Sequence, residues 1–166
     1  MNVYGELLSI KAFRENKADL AVNRQRGVLA EALAGCESAL NALNGFLEYA
    51  RLHEDALYRD LCSRIVRLRE IENVQLAVVD LRAGEHQRQS LLEAAERQRD
   101  QEAALLEERK QQRTHATRQK EKFVELAQVH ASELVAALER KEDAEMEEAS
   151  EVRRDRAEWD TGDEDA

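Results

Sequence analysis

The sequence predicts an all-α protein, a long antiparallel two-helix coiled-coil hairpin that ends in a frayed acidic C-terminal tail. Three observations predict it. Leucines and small apolar residues recur at alternating steps of four and three between Leu29 and Leu61, which is a heptad seam. Proline is absent, and neither glycine nor proline interrupts the chain between Gly84 and Gly162. Aromatic residues make up only 4% of the chain and charged residues 36%, a composition of long helices and not of a compact core built on large side chains.

Helix 1 is expected over about residues 6–62. Its seam reads Leu29, Leu33, Cys36, Leu40, Leu43, Leu47, Ala50, Leu57 and Leu61, with Glu54 as the single charged interruption. Such a stripe calls for a second helix to bury it. Gly27, Gly35 and Gly45 each weaken the helix by about 1 kcal/mol relative to alanine, so helix 1 depends on its partner more than on its own propensity. Cys36 fills a small seam position. On a straight helix Cys62 lies roughly 39 Å from it, beyond disulfide reach, so both thiols are read as reduced.

Helix 2 is expected over about 71–138, and its apolar residues gather in two groups. Val74, Val78, Leu81, Leu91, Leu92 and Ala95 form the first; Phe123, Leu126, Val129, Leu134 and Leu138 form the second. From Glu107 to Lys122 the only apolar residue is Ala116. Two places could reverse the chain. Arg82-Ala83-Gly84 is a helix C-cap signal, but a fold there lays the leucine seam on a segment that is half polar. A turn at about 62–70 sets residues 29–61 against about 71–103, the polar segment 107–122 beside Asn16 to Arg26, and Leu7, Ile10 and Phe13 near Phe123 and Leu126. Pattern agrees at three levels, which favours the earlier turn and a hairpin over 1–138. Beyond Leu138 the bulky apolar residues are Met146, Val152 and Trp159, among thirteen acidic and five basic residues from Glu139 to Ala166. Residues 139–166 are therefore expected to form an acidic helical extension that frays into a disordered tail.

The net charge of −10 argues against nucleic-acid or anionic-lipid partners, whose phosphates want clustered bases. No apolar run approaches a membrane span, and Glu6 interrupts any signal-peptide core, so a cytoplasmic location without direct membrane insertion is the default. His53, His86, His115 and His130 are scattered without metal-ligand spacing, and no Gly-rich phosphate loop or nucleophile elbow occurs. A two-helix hairpin also lacks an enclosed pocket in which to tune a pKa. The reading is a protein that acts by contact, with no catalytic residue, cofactor or metal.

The informative feature is the polar interval. Arg109, Lys110, Arg113, Arg118, Lys120 and Lys122 place six bases in fourteen residues against one acid, Glu121. Either this is a solvated helix face, or it is a cationic docking surface bordered by Phe123 and Leu126. A positive band beside an apolar anchor steers a partner and then holds it. Phe123 itself is either a core residue closing the hairpin against Phe13 or an exposed anchor. Ile65, Leu68 and Ile71 pose the same alternative at the turn, packing across it or forming a small sticky end.

Three short stretches carry a resemblance. Tyr49-Ala-Arg-Leu-His-Glu54 is similar to an aromatic, Arg/Glu-rich end of helix 1; Leu81-Arg82-Ala-Gly-Glu85 to a Leu-Arg-x-x-Glu motif; and Glu121-Lys122-Phe123-Val-Glu125-Leu126 to a late Lys-Phe-x-Glu-Leu. Over about Phe46 to Leu134 the chain resembles the stalk proteins of type III secretion systems, called YscO or SctO in injectisomes, including the Hrp type, and FliJ in flagella. The resemblance implies a virulence-associated protein-transport component peripheral to a membrane-embedded apparatus. It implies a stalk that enters the hexameric secretion ATPase, touches the cytoplasmic domain of the export gate and, in some members, meets secretion chaperones. The competing class is a structural scaffold that self-associates along the Leu29 to Leu61 seam. A nucleic-acid hairpin is disfavoured, because no aromatics interleave with the bases.

Overall fold

The computed structural model describes the backbone of residues 3–162 and the side chains of residues 3–156. Two helices make up the described chain, α1 (Val3–Ser63) and α2 (Leu68–Gly162). No proline interrupts either helix, and α2 meets no glycine between Gly84 and Gly162.

The reversal falls at residues 64–67. Glu70 sits three residues into α2 and accepts the Arg67 backbone N–H at 2.7 Å, the reach-back half of a capping box. Its other carboxylate oxygen takes the Arg64 guanidinium at 2.7 Å, and Arg64 also donates to Asp60 at 3.2 Å in the last turn of α1. One arginine thus ties the end of one helix to the start of the next. The Arg67 amide first, and then Arg64, hold the Glu70 carboxyl below its ordinary range. A depressed carboxylate contributes stability that is complete above its unfolded pKa and is lost as pH falls through the folded one. Wild-type protein should therefore be more stable than Glu70→Gln at neutral pH, with the difference shrinking to nothing on the acid side of the carboxylate range. Thermal midpoints of both proteins across pH check this, and a pH-independent difference would refute it.

The chain packs as two units, Asn16–Thr114 and a second made of Met1–Glu15 with His115–Ala166. In the first, α1 and α2 run antiparallel: Asp19 meets Arg113, Gln25 meets Glu102, Phe46 meets Gly84 and Arg88, and Glu54 meets Arg82. Its core is a thin line of Val22, Cys36, Leu43 and Ala50 on α1 and Leu81, Leu92 and Leu106 on α2. The α1 steps are multiples of seven, as a heptad seam requires.

One column of the expected seam holds, with Leu29, Cys36, Leu43, Ala50 and Leu57 buried or half-buried, whereas the other runs one residue off its expected leucines. Ala32, Ala39 and Phe46 turn inward, while Leu33, Leu40 and Leu47 are exposed. Gly84 explains the phase. It lies inside an unbroken α2 and not at a helix end, and a Cβ there would stand 2.6 Å from Phe46 Cζ. The missing side chain makes the hole into which the Phe46 ring fits, and the Arg88 guanidinium closes over the ring at 3.8 Å. The largest side chain available takes the inward position, and the two alanines let the arms approach beside it.

In the second unit Tyr4 meets His130, Lys11 meets Phe123, and Glu15 meets Thr117 and Lys120, again antiparallel. The fraying expected beyond Leu138 has no counterpart in the backbone, which stays helical to Gly162. Glu, Ala and Arg dominate this segment and are strong helix formers. Side chains 139–156 are all exposed. The side chain of Trp159, and residues 163–166 altogether, lie outside the described residues.

Candidate docking surface

The six predicted bases divide between the two units. In the Asn16–Thr114 unit each has a local partner. Arg113 Nε pairs with Asp19 at 2.6 Å, Lys110 lies 3.5 Å from Glu107, and Arg109 donates to Gln112 at 3.1 Å. Arg113 therefore joins the two arms. Arg109 and Lys110 are exposed, and their polar partners among the described residues lie on their own helix.

In the other unit Lys120 is half-buried and donates to Glu15 at 2.7 Å, while the Thr117 hydroxyl donates to the second Glu15 oxygen at 3.0 Å. Arg118 and Lys122 are exposed, and neither has an ion-pair partner among the described residues. Phe123 is half-buried, with the Lys11 ammonium 4.6 Å from its ring centroid. It does not close against Phe13, which is 68% exposed. The heptad phase of α1 brings Tyr4, Leu8, Lys11 and Glu15 inward, and Phe13 falls two residues past an inward position. Leu126 and Val129 are exposed.

Arg118, Lys122, Leu126 and Val129 follow one another at steps of four, four and three, so they share one stripe of α2. That stripe is cationic at one end and apolar at the other. An open groove of about 590 Å³ lies in the same unit, lined by Val3, Tyr4, Leu8, Ala127, His130 and Leu134 among others. Lys11, Glu15 and Asp19 were not singled out by composition. Glu15 and Asp19 are one turn apart on α1, and an antiparallel register pairs them with the bases of 113–120; that register was the available signal.

At the turn Ile65 and Leu68 are exposed, so these apolar side chains do not pack across it. The first two motif stretches meet each other: Arg82 donates to Glu54 at 2.9 Å and also pairs with Glu85 at 3.2 Å. Glu54, the charged interruption of the seam, is thereby satisfied from the facing helix. Tyr49 stacks on His53 with ring centroids 5.5 Å apart. Among the described residues no group of His, Cys, Asp or Glu is placed to hold a metal ion, and no helix is long and apolar enough to cross a membrane.

A family model described as type III secretion protein YscO matches residues 5–152. The crystal structure of the type III secretion protein YscO from Vibrio parahaemolyticus superposes with a TM-score of 0.81 at 28% sequence identity. The superposition covers 87% of this chain and 91% of that one. No curated protein matches the chain in sequence.

Proposed function

The chain belongs to the YscO family of type III secretion proteins, a component of that secretion system, and from this membership we propose that it is a stalk engaging the secretion ATPase. The observation that carries the reading is the stripe of Arg118, Lys122, Leu126 and Val129. Two bases without an ion-pair partner among the described residues stand beside two exposed apolar side chains, on a protein that is otherwise acidic. Charge of that sign accelerates encounter with an acidic surface, and the apolar end supplies burial once contact is made. The protein acts by contact and not by catalysis, at the cytoplasmic face of the membrane-embedded apparatus. The cytoplasmic domain of the export gate and, in some family members, chaperones complete the partners of this reading.

The test is ATP hydrolysis by the cognate ATPase, titrated with the full chain. Wild type should stimulate hydrolysis. The double variant Arg118→Glu, Lys122→Glu should need about 10–100 times more protein for half-maximal stimulation, the effect of roughly 1.4–3 kcal/mol of lost and reversed charge contact. Neither side chain has an ion pair among the described residues, so helical content should not change. Arg113→Glu is a poor substitute, because it also breaks the Asp19 pair between the arms. Superimposable titrations of wild type and double variant would remove the stripe from the contact. Absence of stimulation at saturating wild type would remove the ATPase itself.

A further inference from the structure

The stretch from Ser38 to Leu47 contains no charged residue, in a chain of which 36% is charged. Only one side of it is covered by α2. Leu33, Leu40 and Leu47 lie seven apart, each one residue beyond the inward Ala32, Ala39 and Phe46, and remain 49%, 44% and 36% exposed. Residues seven apart on a coiled-coil helix form one column. Extended by one heptad each way, the column reads Arg26, Leu33, Leu40, Leu47, Glu54.

Read backwards, this column complements itself. Leucine stands opposite leucine at the three central positions, and base stands opposite acid at both ends. We propose that the column is the interface of a homodimer, two copies packing antiparallel about a two-fold axis at Leu40. Leu33 of one copy then meets Leu47 of the other, and Leu40 meets its own symmetry mate. Arg26, which has no ion pair among the described residues, reaches Glu54 of the other copy. Arg82 occupies one Glu54 oxygen at 2.9 Å, so the second arginine completes a row of base, acid and base.

The adjacent column supports the same pairing. It reads Ala30, Glu37, Asn44, Arg51, and the same axis sets the Asn44 amide against the Glu37 carboxylate. Beside Leu47, residues Arg82, Glu85, His86 and Gln89 of α2 form the wall of an open groove that the second helix would enter. A parallel arrangement would oppose Arg26 to Arg26 and Glu54 to Glu54, which like-charge repulsion disfavours. Self-complementarity about one residue is what an isologous contact demands and what a partner of unrelated sequence has no cause to require. The interface uses no residue of the Arg118 to Val129 stripe, so it stands or falls apart from the ATPase contact.

Sedimentation velocity of the full chain over a broad concentration series should show a reversible monomer–dimer equilibrium. Leu40→Glu should weaken it at least tenfold with helical content unchanged, since Leu40 lies off the seam and two carboxylates would meet on the axis. Orientation is read in a Cys36→Ala, Cys62→Ser background. Leu40→Cys should cross-link to itself on oxidation, and Leu33→Cys should cross-link to Leu47→Cys in a mixture but not to itself. A monomer at every concentration overturns the proposal, as does a dimer indifferent to Leu40→Glu. Self-cross-linking of Leu33→Cys, or none at Leu40→Cys, overturns it equally.

Discussion

Gly84→Ala is expected to destabilise the protein by about 1–2 kcal/mol, whereas Gly27→Ala is expected to stabilise it by about 0.5–1 kcal/mol. Both replace a helical glycine by the best helix former, and on propensity alone both should gain. Nothing lies within 4 Å of a Cβ built at Gly27, so the propensity gain there is unopposed. At Gly84 the new methyl would meet Phe46 Cζ at 2.6 Å and Cε1 at 3.1 Å. The ring has little room to retreat, because Arg88 lies over it at 3.8 Å and is itself fixed by donating to the Gly84 carbonyl at 3.1 Å. Overpacking of this kind costs about 1–3 kcal/mol, more than the propensity returns. Urea unfolding followed by helix ellipticity measures both variants. The clash also has a partner-dependent signature: in a Phe46→Leu background Gly84→Ala should lose most of its cost, as coupled neighbours do. A Gly84→Ala protein as stable as Gly27→Ala would mean that Phe46 does not fill the gap left by the glycine.

The same glycine shows why the helices were easier to read than their contacts. Continuous helix formers and the absence of proline made two long helices legible. The polar interval fixed which segment faces which, because a leucine-rich stretch cannot be laid on Glu107 to Lys122 without burying charge. Local signals at Arg82-Ala83-Gly84 look the same whether glycine ends a helix or opens a hole for a ring on another helix; only the facing residue distinguishes them. The seam phase was hidden for a related reason. Ala32, Leu33, Ala39, Leu40, Phe46 and Leu47 form adjacent apolar pairs, and hydrophobicity alone favours the leucine of the first two. The bases posed the converse problem. Arg113 and Arg118 look alike in sequence and both are exposed, yet the first pairs with Asp19 at 2.6 Å and the second has no ion-pair partner among the described residues.

Leu43→Ala and Leu40→Ala should differ by about 2 kcal/mol or more, though both remove the same atoms three residues apart. Leu43 is 6% exposed and part of the buried line with Cys36 and Ala50. Truncating it leaves a cavity between helices that have no second layer behind them, at a cost of about 2–4 kcal/mol. Leu40 is almost half in water already, so its truncation should cost less than about 1 kcal/mol in the monomer. A hairpin this thin has few buried side chains to share the loss. Leu43→Ala should therefore lower the unfolding midpoint of α1 and α2 in the Asn16–Thr114 unit together and not loosen one site. The comparison must be made in dilute protein, because self-association through Leu40 would add concentration-dependent stability that Leu40→Ala removes. In that limit equal losses at the two positions would place both leucines in the seam and return its second column from Ala39 to Leu40. At higher concentration a loss at Leu40 that grows with protein, beside one at Leu43 that does not, separates the contact that holds the arms together from the one that joins two copies.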